Sequence, residues 1–271
     1  MSTATALGGP EAATVSALQA DLAARGVRYA LANFVDLHGV CKAKAVPLDH
    51  LPAMLSGSEL FTGAAVDGVP QDVSDDEVAA LPDPSSATVL PWRPDTVWFA
   101  SNLQLGGQPF EACSRNILCR VRDQAAAMGL RFNLGVETEF FVLRRDADGG
   151  LQPASAADQL DKPCYDLRGL LDNLGWLDEL VQAMNGLGWG VYSFDHEDGN
   201  GQFETDFGYA DGLVTADRVT FFRLMAREIT RRHGLIASFM PKPFADRTGS
   251  GAHFNMSLAD LGSGENLFSP A

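Results

Sequence analysis

Basic charge, paired cysteines and long apolar runs are all scarce in this 271-residue sequence. Lys and Arg number 20 against 35 Asp and Glu, which gives a formal net charge of -15 and a pI near 4.6. No local basic patch offsets that balance, so it argues against nucleic acid and against an anionic membrane surface as partners. A nucleotide stays compatible with it, because metal ions can screen phosphates. Cysteine is limited to Cys41, Cys113, Cys119 and Cys164, without CxxC spacing. A chain this large has no need of disulfide staples, so reduced thiols and a cytoplasmic setting are expected. The opening MSTATALGGPEAAT has no basic region followed by an apolar core, and no apolar run reaches the length of a bilayer span.

What is present is ordinary globular composition, 46% hydrophobic and 20% charged, enough for one large domain or two smaller ones. Residues 1–13, small and polar with Gly and Pro, read as a disordered leader. From Thr14 the spacing of Val15, Leu18 and Leu22 is helical, and Gly26 stops it. Residues 27–35 and 40–46 read as strands joined by a DLHG turn. Helices are expected over 49–55 and 75–81, and strands over 88–90 and 96–103. A long helix over 114–128 follows, so a domain boundary is placed near 108–113. Beyond a loop at 146–163, helices are expected over 174–187 and 216–233, and strands over 190–195, 202–207, 236–240 and 252–258. Strands and helices mix without strict alternation, which indicates an α+β fold.

The stretch GVETEFF, Gly135 to Phe141, sets Glu137 and Glu139 two apart in a strand, hence on one face. Two carboxylates that close repel unless a cation or a proton lies between them, so the pair is a candidate metal site; a solvated strand face is the competing reading. SFDHEDGNGQFETDF places Asp195, His196, Glu197, Asp198, Glu204 and Asp206 around a Gly199-Asn200-Gly201 turn, from which Glu197 and Glu204 can converge. KPFADRTGSGAHFNMSL adds His253, with Asn255 and Ser257 on the same strand face after a glycine-rich turn. Hard oxygen ligands with one imidazole suit Mg²⁺ or Mn²⁺ rather than structural zinc. Each piece alone has a plainer reading: a solvated turn for the HED segment and a hydrogen-bonded core residue for His253.

Taken in order, the ExE strand, the HExxxxxxE hairpin and KPF with GSGxHxNxSL resemble the glutamine synthetase family, in particular its type III-like branch with the γ-glutamylmethylamide synthetases. The resemblance runs from about residue 14 to the end. It implies a small N-terminal β-grasp domain over 14–110 and the front part of a larger catalytic α+β domain over 111–271. It also implies an ATP-dependent carboxylate-amine ligase, which forms a γ-glutamyl phosphate from ATP and glutamate and then an amide with ammonia or a small alkylamine. Carried over by position, Glu139, Glu197 and Glu204 would hold the metal near the substrate carboxylate and the amine. Glu137 and His253 would hold a second metal that binds ATP phosphates. Gly249 and Thr248 would contact glutamate, while Ser257, Asn255 and His196 would lie near the nucleotide. The family forms homo-oligomeric rings with sites between subunits.

Three departures accompany the resemblance. Where the family has FDGSS the chain reads FTGAAVDG, so Thr62 and Ala65 replace an aspartate and a serine, which tilts the expected acceptor from ammonium towards an alkylamine such as methylamine. NGSG is replaced by TGSG at Thr248. Family members also continue past FSPA with phosphate-gripping arginines, a flap glutamate and a further metal-binding glutamate, so a chain ending at Ala271 is expected to be inactive alone. A non-catalytic assembly module and a two-metal hydrolase are the competing functions.

Overall fold

The computed structural model describes residues 12–269, and the chain divides into two compact units between Gln124 and Ala125. The expected leader lies outside the described residues, except for its last two positions, which already belong to the first helix. The first unit runs through α1 (Ala12–Ala24), β1 (Tyr29–Val35), β2 (Cys41–Pro47), α2 (Leu51–Leu55), β3 (Glu59–Phe61), β4 (Val78–Pro82), β5 (Thr88–Leu90), β6 (Arg93–Leu105) and β7 (Gln108–Pro109). Its sheet has the order β2-β1-β6-β4-β3; β1 and β6 are parallel and the other pairs antiparallel. Leu22, Phe34, Leu51, Met54, Leu55, Val97 and Phe99 are buried in its core.

The DLHG turn has a specific cause. Asp36 Oδ1 accepts the backbone N–H of His38 and of Val40, each at 2.9 Å, Oδ2 lies 3.2 Å from Lys42 Nζ, and Gly39 supplies the positive φ the bend needs. One sequence expectation fails here. Residues 75–81 were expected to be helical, yet Val78–Pro82 is strand β4, paired with β3 and β6. Val78, Ala80 and Pro82 are buried and alternate with Ala79 and Leu81, a period of two that five apolar residues in a row conceal.

The second unit is built on one long strand. After α3 (Ser114–Ala127), which carries the chain across the division, β8 (Leu130–Arg145) extends for 16 residues. The chain continues through β9 (Leu151–Pro153), α4 (Leu167–Asp172), α5 (Leu174–Gly186), β10 (Val191–His196), β11 (Gln202–Phe207), β12 (Ala210–Asp211), α6 (Gly212–Arg232), β13 (Ile236–Ser238) and β14 (Ala252–Asp260). β9, β11, β12, β13 and β14 all pair antiparallel with β8, and β10 adds to β11. Strand β9 and the short helix α4, whose N-terminus Asp166 caps through Gly169 N–H, are absent from the sequence expectations.

Alternation along β8 sorts its two faces. Phe140 packs edge-on against Trp176 of α5 and Phe222 of α6, at 6.1 and 5.7 Å, and stacks on Phe239 at 5.1 Å. Glu137, Glu139 and Phe141 take the other face, where Phe141 meets Phe244 at 5.5 Å. The front half of β14 has β8 as its neighbour among the described residues, and Phe254 and Met256 on it are exposed. Replacing Phe140 with Ala is expected to cost about 3–5 kcal/mol, as for a fully buried aromatic in a close-packed core. Denaturant melts of the wild type and the variant measure it, and a loss below about 1 kcal/mol would mean this aromatic layer does not support β8.

Candidate metal and substrate site

Strand register brings the acidic residues into rows. Glu204 stands directly opposite Glu139 across the β11–β8 pair and opposite Asp195 across β10–β11, so three carboxylates lie side by side over adjacent strands. One step along β8, Glu137 faces His253 of β14. Glu197 follows the end of β10, where its N–H donates to Gln202 O at 2.9 Å and closes the hairpin. Two groups of ligand atoms result, Glu139–Glu197–Glu204 and Glu137–Glu204–His253, each with its atoms within 4.8 Å of one another. Glu204 belongs to both.

Each carboxylate has different support. Glu137 is held by His253 Nδ1 at 3.2 Å and Asn255 Nδ2 at 2.7 Å. Glu139 Oε2 accepts from Gly251 N–H at 2.9 Å and Gln202 Nε2 at 3.0 Å. Glu197 Oε2 accepts from Asp198 N–H at 3.0 Å, with Cys164 Sγ at 3.9 Å. Glu204 receives no donor from the described residues. Burial, then Asp206, Glu197, Glu139 and Glu137, push its carboxyl up to about 8. Burial followed by neighbouring carboxylates also raises Asp195 and Asp206, and burial with Glu139 and Asp195 close by raises Glu197. Asp206 Oδ1 is buried without a hydrogen-bond partner. Half-buried carboxylates that repel one another, Glu204 among them without a donor from the described residues, with one imidazole at the edge, fit one or two hard divalent cations.

His196 does not join them. Strand alternation turns it to the opposite face from Asp195, its side chain is 0% exposed, and its ring lies 5.0 Å from that of Phe203. The ring is buried and its two nitrogens face Glu197 and Asp158. Nδ1 lies 2.7 Å from Glu197 O and Nε2 2.8 Å from Asp158 Oδ2. Glu197 O can only accept, so Nδ1 carries a proton, and an ionised Asp158 accepts a second from Nε2. Burial pulls the pKa of His196 down, but the bond and charge of Asp158 outweigh that and raise it; Asp158 in turn is lowered despite its burial. Asp158 also accepts from Asn200 Nδ2 at 3.0 Å and Gly201 N–H at 2.6 Å, so it anchors the hairpin that carries Glu197 and Glu204.

The remaining expected residues lie along the segment from Thr248 to Ser257. Thr248 Oγ1 donates to Asp198, Gly249 O accepts from Gln202 at 3.1 Å, and Asn255 holds Glu137. Ser257 is paired in register with Asn133, ~13 Å along the strand from His253 at about 3.3 Å per residue, and so lies away from the carboxylate groups. Asp158, Gln202 and Gly251 are the supports that sequence reasoning missed. Gln202 had a signal, its spacing of two from Glu204; Gly251 had its place two before His253. Asp158 had none.

The family model for the glutamine synthetase catalytic domain matches residues 111–271, more than half of the chain. The chain belongs to the glutamine synthetase family. It is 40% identical to a glutamate-methylamine ligase of Methyloversatilis universalis over 235 residues, 86% of this chain and 53% of that protein. Against a glutamine synthetase of Rhizobium meliloti it is 39% identical over 246 residues, 90% of this chain and 55% of the relative. A solved structure described as a GmaS/ADP complex superposes with a TM-score of 0.89 at 40% identity, covering 94% of this chain and 58% of that one. The chain therefore spans little more than half the length of the relatives it matches. No helix among the described residues is long and apolar enough to cross a membrane.

Two outcomes follow from the charges. Glu204 has a folded pKa above its ordinary 4.5, so the folded metal-free protein binds a proton that the unfolded chain releases. Its contribution to stability is therefore lost as pH rises from 4.5 to about 8. Glu204→Gln is expected to flatten that part of the pH dependence in thermal melts without metal, and an unchanged profile would contradict the assignment. Asp158→Ala removes the partner of buried His196 and the acceptor for Asn200 and Gly201, with an expected loss of about 3–5 kcal/mol in denaturant melts; a loss under about 1 kcal/mol would mean that Asp158 does not anchor the hairpin.

Proposed function

We propose that this chain carries the metal and substrate positions of an ATP-dependent glutamate-amine ligase. The observation that carries the reading is the pair of ligand groups sharing Glu204. In this reading Glu139, Glu197 and Glu204 hold one Mg²⁺ or Mn²⁺ and Glu137 and His253, with Glu204, hold a second. Cations there supply charge neutralisation for the ATP phosphates and for the carboxylate of glutamate. The chain's own residues do the positioning. Asn255 and His253 fix the orientation of Glu137, while Gly251 and Gln202 fix that of Glu139. The backbone at Gly249 and the hydroxyl of Thr248 offer polar groups for glutamate, and Ser257, further along β14, lies towards the nucleotide. The amine attacks the acyl carbon of the γ-glutamyl phosphate, the C–N bond forms as the C–O bond to the departing phosphate breaks, and the proton the amine loses passes to a carboxylate of this row.

The acceptor in this proposal is a small alkylamine, with methylamine ahead of ammonia. Thr62 and Ala65 stand where an aspartate and a serine occur in the resembling pattern, so the side chain at 62 is itself a hydroxyl rather than a carboxylate; it donates to Glu77 at 3.2 Å. The similarity to a glutamate-methylamine ligase at 40% identity supports the same choice. Homo-oligomeric assembly into a ring, with sites completed between subunits, belongs to the same proposal. The test is amide formation from glutamate and ATP by protein purified from its own source, with ammonium and methylamine compared at equal free-base concentration. The expected outcome is a metal-dependent reaction with at least about tenfold higher kcat/KM for methylamine, a difference of about 1.4 kcal/mol. A preference for ammonium would overturn the acceptor. Phosphate release that ignores both amines would point to a hydrolase.

A further inference from the structure

Gln202 opens β11 two residues before Glu204, on the same strand face, and is fully buried. Its amide is saturated. Oε1 accepts the N–H of Gly199 at 2.9 Å, which closes the turn of the hairpin. Nε2 lies 3.0 Å from Glu139 Oε2, 3.1 Å from Gly249 O and 3.2 Å from Ser250 Oγ. An amide nitrogen has two hydrogens, so Gln202 divides them between the carboxylate on β8 and the segment that precedes β14. That segment reaches the same carboxylate by a second route, the N–H of Gly251 at 2.9 Å from Glu139 Oε2. The fit is close: a Cβ on Gly251 would lie 2.9 Å from Glu139 Oε1.

We propose that Gln202 is a positioning residue that couples the order of residues 248–251 to cation occupancy at Glu139. The proposal rests on the ligase reading for the role of that cation. Glu139 stands opposite Glu204 and would swing away from it, were its Oε2 not tied down by neutral donors. Glutamate at position 202 would add another carboxylate to the row, and an apolar side chain would leave Gly249 O and Gly199 N–H unpaired in a buried place. Glutamine supplies an acceptor for the turn and a donor for Glu139 without net charge. Any shift of Glu139 towards a cation therefore redistributes the hydrogens of the one nitrogen that also holds Gly249.

The test compares the wild type with Gln202→Glu and Gln202→Asn by hydrogen exchange over residues 241–252, with and without Mg²⁺, beside Mn²⁺ titrations. In the wild type, Mg²⁺ is expected to slow exchange at 248–251 by about tenfold or more. Both variants are expected to bind Mn²⁺ roughly 10–100-fold more weakly, as when a ligand loses its supporting hydrogen bond. At saturating Mg²⁺ their 248–251 amides should still exchange at the metal-free rate. Gly251→Ala presses on Glu139 from the other side without altering the buried hairpin, and it too is expected to abolish the slowing even if the Gln202 variants do not fold. Slowing that persists in the folded variants overturns the coupling, as does a wild type that binds Mg²⁺ without any response at 248–251. A wild type that binds no divalent cation overturns the ligase reading instead, so the two failures are distinct.

Discussion

Repulsion between carboxylates on neighbouring strands is the constraint around which the second unit is arranged. Antiparallel register puts Asp195, Glu204 and Glu139 in one row, and strand spacing of about 4.8 Å allows them little escape. The metal-free protein answers in three ways. Neutral donors hold Glu139 and Glu137, the Glu204 carboxyl is pushed up to about 8, and the His196–Asp158 pair fixes the hairpin from behind. Each device costs something in isolation, since unpaired or like charges away from water are unfavourable. Together they keep a cation-seeking geometry in a chain that still folds.

The strength for this comes from the opposite face of the same strands. Phe140 follows Glu139 in the chain and anchors β8 in a layer formed with Trp176, Phe203, Phe222 and Phe239. Because side chains alternate, a single strand is greasy on one side and anionic on the other, and neither property can slip by one residue without reversing both. The register that the core enforces is therefore the register of the ligands.

Much of this was legible from spacing alone. Glu137 with Glu139, and His253 with Asn255, follow the period of two, and the glycine turn brings Glu197 and Glu204 together. The α+β class and most element positions followed from apolar periodicity. Three features that spacing did not reveal have physical causes. Residues 75–81 combine three acids with an unbroken apolar run, so the local pattern could not show that pairing with β6 would make a strand. Asp195, His196 and Glu197 are polar in succession, and only the parity set by the partner strand turns His196 inward. Asp158 sits 38 residues from the histidine it pairs with, in a loop whose composition announces nothing.

The front half of β14 carries a different consequence. His253 and Asn255 look towards the carboxylates, Phe254 and Met256 are exposed, and among the described residues β8 is the strand that pairs with it there. Free amides and carbonyls beside exposed apolar side chains form a template that another extended chain can extend. This strand, which bears the candidate ligand His253, is therefore also an aggregation hazard, and a charged residue in place of Phe254 would be the direct means of reducing it.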